Sequence, residues 1–257
     1  MDSRRDARRR FLSRTLGAAG TLLIGGCQRL SQSEWFPKVL GAGETASAAA
    51  AHAVTSRKSM AQEFAEADRS PTFRSNGTAE PDDDDYRALA ANAFSDYRLE
   101  VDGLVAQPAS FSLVELRALP SRTQITRHDC VEGWSAIAKW KGARLAAMLE
   151  AVKPKPEARF VVFHCADPMD DDGSHPYYES IDLEDAFHPQ TILAYDMNDA
   201  TLPVANGAPI RLRVERQLGY KHAKYIMRIE LVASFAKIEG GNGGYWEDQG
   251  YQWFAGI

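Results

Sequence analysis

Cys130 lies in the stretch TRHDCVEGWS, residues 126–135, between the triplet Arg127, His128, Asp129 and the acid Glu132. Four chemistries are open to it: a disulfide with Cys165, a core filler, a nucleophile, or a ligand to a soft metal. The polar, partly cationic neighbours favour a thiolate over an inert thiol. A nucleophile needs a base, and His128 shares a face with Cys130 only if the strand continues through the cysteine. Zinc is disfavoured, because no second cysteine or histidine stands at finger-like spacing from Cys130. His175, His188 and His222 are scattered along the chain.

A second constellation joins NGAPIRL to GYKHAKY. Asn206 and Gly207 suit a turn with positive φ. Arg211, Lys221, His222 and Lys224 gather cationic donors within an acidic protein. Donors concentrated beside a glycine-permitted backbone are what a phosphate requires. The alternative is a basic strand pair laid on a solvated face. The stretch DPMDDDGSHPYYES puts Asp170, Asp172, Gly173 and Glu179 at four positions of an EF-hand loop, but Pro168 takes the first ligand position and no helix of the right length precedes it, which argues against calcium.

The elements that must position these residues can be read from periodicity. Residues 96–105 alternate before an Asp-Gly turn and predict a strand. SFSLVELRALP predicts a short helix capped by Ser110 or Ser112 and closed by Pro120. RTQITRHDCV predicts a strand into the cysteine, KGARLAAMLEAV a helix, and ARFVVFHCAD a buried strand ending at Cys165. A helix and a strand follow in SIDLEDAFHPQTILAYDMND, then strands enclosing a Gly-Tyr-Lys turn, and a glycine- and aromatic-rich tail over the surface. RSPTFRSNGTAEPDDDDY reads as a loop, with Asp82 to Asp85 a solvated turn. Strands and short helices without a regular βαβ rhythm predict an α+β fold of mixed sheets, preceded by a helical N-terminal arm.

The chain has 257 residues and a formal net charge of -5. Six arginines against two aspartates in the first 27 residues leave the remainder at -9, which argues against nucleic acid as a partner of the folded part. The segment ARRRFLS, with Arg8 and Arg9, precedes an apolar run too short and glycine-rich for a permanent span, and resembles a twin-arginine export signal, a route used for proteins folded before export. LIGGC resembles a lipobox that would acylate Cys27. The expected organisation is a signal at 1–27, an arm and loop at 28–95 and a catalytic domain at 96–257, located in the periplasm and tethered there if Cys27 is acylated.

CVEGWS, Trp140 and Gly142, HPQTILAY, LPVANGAPIRL and GYKHAK, in this order, resemble the molybdopterin-binding domain of the sulfite oxidase family, nearest to its periplasmic sulfoxide-reducing members. The resemblance covers Asp96 to the C-terminus. It implies that Cys130 is the single protein thiolate on a molybdenum whose other ligands are a pterin dithiolene and oxygens. By the same resemblance Asn206, Arg211, His222, Ala223 and Lys224 hold the pterin and its phosphate, with Cys165 near the pterin. FRSNGT resembles a cofactor-contacting loop and adds Arg74 and Asn76. Arg127, His128 and Lys221 are candidates for the open metal face.

No CxxCH haem site or iron-sulfur cysteine set is present, so electrons are expected from a separate partner such as a cytochrome. The family's C-terminal dimerisation domain is missing, which implies a monomer. The expected reaction is two-electron oxygen-atom transfer on a small sulfur-centred substrate or an oxidised protein methionine, as sulfoxide reduction. Sulfite oxidation is the alternative direction, and a disulfide-stapled lipoprotein binding module the non-enzymatic alternative.

Overall fold

The computed structural model describes residues 59–170 and 175–257, with a few isolated positions before them. The export signal at 1–27 with Cys27, most of the helical arm, and Asp172 and Gly173 of the acidic loop lie outside the described residues. The chain divides at Ser56, and the compact unit Arg57–Ile257 carries the site. Among the described residues no helix is long and apolar enough to cross a membrane.

Two five-stranded sheets organise this unit. The first has the order β2-β1-β10-β5-β6, from β1 (Arg98–Gly103), β2 (Ala109–Ser112), β5 (Phe160–Pro168), β6 (Pro176–Asp182) and β10 (Ile226–Val232). β1 and β10 run parallel, and the other pairs are antiparallel. The second has the order β3-β4-β7-β8, from β3 (Ser121–Cys130), β4 (Trp134–Arg144), β7 (Ile192–Met197) and β8 (Ala200–Thr201), with β9 (Arg211–Arg213) also paired to β7. The main core lies where Leu99, Val101, Val161, Phe163, Ile229 and Leu231 meet α2 (Leu113–Ala118) and α3 (Leu145–Val152). A smaller cluster forms around Trp140, Ile192, Ala194 and Met197, with Phe73 packed against it.

Local chemistry explains the helix ends. Ser112 and Glu115 form a reciprocal capping box on α2, with Glu115 Oε2 accepting from the Ser112 backbone N–H at 2.8 Å. α3 buries Leu145, Met148, Leu149 and Val152 and stops at Lys153, which takes the left-handed conformation.

Several expectations need correction. Lys141–Arg144 belong to β4, because β3 and β7 pair with this stretch from either side, with a register shift against β7 between Lys141 and Gly142. The aspartate run opens a helix, α1 (Asp84–Ala91): Asp83 caps it by accepting from Tyr86 N at 2.7 Å. β5 runs past Cys165 to Pro168, and the supposed acidic loop gives way to β6 at Pro176. Residues 59–95 are built into the same unit as residues 96–257: Phe64 N–H donates to Ile125 O at 2.9 Å, Phe73 stacks edge-on against Trp140 at 5.2 Å, and Tyr86 OH donates to Ala208 O at 2.7 Å.

Candidate active site

The β3–β4 hairpin delivers Cys130 to the end of its strand. Residues 131–133 turn the chain, with Gly133 at φ +83° donating its N–H to Cys130 O at 3.0 Å. β3 continues through the cysteine, so His128 and Cys130 do share a face. Cys130 and Cys165 are both free thiols, which removes the disulfide alternative. The surroundings do not favour a thiolate as the sequence suggested: burial pushes the Cys130 thiol up and outweighs the Glu132 backbone N–H, which lowers it more than the Glu132 carboxylate raises it, and the smaller pull of Arg74.

Cys130 opens onto a cleft of about 180 Å³. Asn76, Thr78, Asp167, His222 and Lys224 form its polar wall. Tyr177, Tyr220, Trp246 and Tyr251, with Met169, form an aromatic wall, and Val131 and Glu132 flank the thiol. The tail therefore does more than wrap the surface. Its short helix α4 (Tyr245–Asp248) supplies Trp246 to the cleft and buries Glu247.

The basic constellation is buried, not laid on a solvated face. The Asn206–Gly207 turn forms as expected, with Gly207 at φ +107°, and a Cβ there would lie 2.9 Å from the Lys224 side chain. Arg211 is fully buried. It donates to Asn206 O at 3.0 Å and to His222 O at 3.5 Å, stands 5.1 Å above the Trp140 ring, and leaves Nε without a partner. Burial, then Arg213, lowers its pKa to about 9. Lys224 is spent on the preceding loop: its ammonium donates to Asn76 O at 2.7 Å, to Thr78 O, to Ala205 O at 3.2 Å and to Ser75 Oγ at 3.4 Å. Burial and Arg211 lower it to about 7.

Both histidines are held neutral. Arg213 donates to His128 Nδ1 at 3.0 Å, and a guanidinium has no acceptor, so the ring proton is assigned to Nε2. Burial, with Arg213, Arg211 and Lys224 nearby, drives the His128 pKa far down. Gly219 permits this packing, since a Cβ would lie 2.6 Å from His128 Nε2. His222 stacks on His128 at 5.1 Å and donates Nε2–H to Gln217 O at 3.1 Å, which leaves Nδ1 bare. Burial, followed by Arg213, His128 and Arg211, lowers it well below its ordinary value.

The structure thus brings Cys130, Asn76, His222 and Lys224 to one cleft, with Arg211 and Asn206 adjoining. Arg74 stacks at 5.7 Å over Trp134, near enough to act on Cys130. Other candidates stand elsewhere. His128 is walled in by Phe73, Trp134 and His222. Arg127 points to the opposite face, pairs with Asp129 at 2.9 Å, and lines a separate cavity of about 150 Å³. Lys221 is buried between Glu179 at 2.5 Å and Glu247 at 2.6 Å. Cys165 and Ala223 lie in the core. Sequence reasoning missed Asp167 and the aromatic wall; glycines interleaved with aromatics at 240–253 were the available signal for the wall.

The chain belongs to the family described as "Oxidoreductase molybdopterin binding domain", which it matches over residues 87–237. It is similar to the "Putative protein-methionine-sulfoxide reductase subunit YedZ1" of Azospira oryzae, with 39% identity over 250 residues, covering 97% of this chain and 88% of that protein. It is also similar to the "Protein-methionine-sulfoxide reductase catalytic subunit MsrP" of Campylobacter jejuni, with 34% identity over 143 residues, 52% of this chain and 48% of that one. Among solved structures, the sulfane dehydrogenase SoxCD of Paracoccus pantotrophus aligns with a TM-score of 0.49 and 23% identity over 54% of this chain and 39% of its own. The resemblance to the sulfite oxidase family therefore holds, and the protein is a molybdopterin-binding oxidoreductase of α+β fold.

The residues on the cleft and directly behind it fit such a cofactor. Asn206 Nδ2, Arg211 Nε, His222 Nδ1 and Asn76 Oδ1 are buried without partners. Buried polar atoms of this kind are costly unless a ligand meets them. Among the described residues no three His, Cys, Asp or Glu side chains could hold a metal between them.

Proposed function

We propose that this chain is an exported molybdenum enzyme that reduces a sulfoxide, with an oxidised methionine side chain as the substrate class. The observation that carries the reading is a lone thiol, Cys130, opening onto a cleft whose one wall holds unspent buried hydrogen-bonding atoms and whose other wall is aromatic. Cys130 is the protein ligand to the metal. Asn76, Asn206, Arg211 and His222 hold the pterin and its phosphate, and Lys224 fixes the 75–78 loop against them. When bound, the cofactor supplies the two-electron oxygen-atom transfer. The protein orients the substrate, with Tyr177, Tyr220 and Trp246 offering ring surface to a thioether-like methyl group.

Sulfoxide fits this cleft better than sulfite. A small dianion needs cations directed at it. Here Lys224 is committed to carbonyls, Lys221 to two glutamates, Arg127 lies on another face, and Arg74, the cation that acts on Cys130, is exposed and stacked over Trp134. The names of the relatives point the same way. Twin-arginine export to the periplasm, an electron donor such as a cytochrome, and a monomeric enzyme complete the reading.

Cofactor analysis of protein purified from a molybdopterin-producing host tests it, beside assays pairing a reduced dye with methionine sulfoxide and an oxidised dye with sulfite. Molybdenum, a pterin and sulfoxide turnover are expected. Absence of molybdenum, or sulfite turnover alone, overturns the proposal.

A further inference from the structure

Reducing a sulfoxide to a thioether and water consumes two protons, and the first must reach the oxygen inside the cleft. Most groups there have their protons engaged elsewhere, even Lys224, whose pKa of about 7 would otherwise suit it. His222 is neutral with its one N–H on Gln217 O. Lys224 has its ammonium on four oxygens. Tyr177 OH donates to Tyr220 O and Tyr220 OH to Gln252 O, both at 2.5 Å. Glu132, at the exposed mouth, accepts the Trp134 indole N–H at 2.9 Å. Asp167 differs. It lies on the inward face of β5 two residues past Cys165, is 4% exposed, lines the cleft, and its Oδ1 has no partner.

We infer that Asp167 is the acid that protonates the oxygen leaving the substrate. This rests on the sulfoxide-reductase reading. The sulfoxide oxygen takes one proton from the Asp167 carboxyl and a second from solvent. The cofactor, when bound, would supply the two electrons, replenished by an external donor in two one-electron steps. The S–O bond breaks, sulfur is reduced to the thioether, oxygen leaves as water, and Asp167 regains its proton from solvent. Burial raises the carboxyl to about 7 against its own backbone amide, Lys224 and Thr78, so the proton is held near neutrality. The other titratable groups whose charge it meets are Cys165 on its own strand, Tyr177 on β6, Tyr86 on α1, and Tyr225.

The test compares wild type, Asp167→Asn and Asp167→Glu as molybdenum-loaded enzymes. kcat for methionine sulfoxide with a reduced dye is followed against pH, together with molybdenum and pterin content and infrared titration of the protonated carboxyl band. Wild-type kcat should fall as pH rises through about 7, with the carboxyl band lost in step. Asp167→Asn should lose that limb and about 10²-fold in kcat, with KM and cofactor content unchanged, and Asp167→Glu should recover part of the rate. An Asn variant that keeps the rate and the limb overturns the inference, as does one that loses activity only in proportion to lost cofactor. If wild type is unloaded or inactive on sulfoxides, the functional reading falls and the inference with it. A loaded, active wild type beside an unaffected variant sinks the inference alone.

Discussion

The two walls of the cleft are built on opposite electrostatic terms. Behind the polar wall stand Arg211, Asn206 and His222, each buried and each with an unpartnered nitrogen. Behind the aromatic wall, Lys221 is caught between Glu179 and Glu247, and the tyrosine hydroxyls are spent on backbone carbonyls. Each member of that triad sits beside a cleft aromatic in the chain: Lys221 follows Tyr220, Glu247 follows Trp246, and Glu179 shares the β6 face of Tyr177. Burial, with Glu247 beside it, pushes Glu179 well up against the pull of Lys221. One wall keeps unspent nitrogens, and behind the other the charges pair with one another, with only Glu179 Oε2 and Glu247 Oε2 of the triad left without a partner.

The contrast can be broken most sharply at the thiol. Cys130→Ala should abolish molybdenum retention and cut activity by more than about 10³-fold while leaving the fold intact, read by metal content and the thermal midpoint. Next, Lys221→Met should cost about 3–5 kcal/mol, since it strands two buried carboxylates. Urea unfolding measures this, and cofactor bound per folded molecule should not change. Arg211→Met should do the reverse, weakening cofactor retention about 10–100-fold while the cofactor-free protein gains stability, because a buried charge with an unspent Nε is gone. A stability loss in the cofactor-free variant would show that Arg211 holds the fold.

A smaller effect concerns pH. Asp167 is raised from 3.8 to about 7 in the fold, so the native state binds more protons than the unfolded chain between those values. Its stabilisation is fully present below about 4 and is lost as pH rises through about 7. The difference in urea midpoint between cofactor-free wild type and Asp167→Asn should therefore grow from pH 5 to pH 8, in favour of the variant. Arg127→Ala should do least. Its exposed pair with Asp129 is worth under about 1 kcal/mol, and the melting midpoint and cofactor content should both stay put.

Much of this was legible because it is local. The capping box of Ser112 and Glu115 and the positive-φ turn at Gly207 are decided within a few residues, and the alternation into Cys130 marks β3. Where the reading failed, a distant partner prevailed. Lys141 joined β4 because β7 pairs with it. The Asp82–Asp85 run looked like a solvated turn, yet Asp83 accepts from Tyr86, whose hydroxyl is anchored on Ala208. Cys130 was expected to favour a thiolate, but burial acts on it more strongly than its neighbours in sequence.

What the sequence determined by itself is the class and the ligand inventory: an α+β fold, one thiol in CVEGWS, and a basic cluster after NGAPIRL. Motif order survives in the linear chain, and residue type limits which atoms can donate or ligate. Only the tertiary structure decided which members of that inventory face the cleft. Lys221 and Lys224 are three residues apart, yet one closes an ion triad behind the aromatic wall and the other ties down the 75–78 loop. Asp167 gained its character from burial beside residues far from it in sequence. Side-chain direction, desolvation and partner choice depend on what packs opposite, and that information is carried by the fold as a whole.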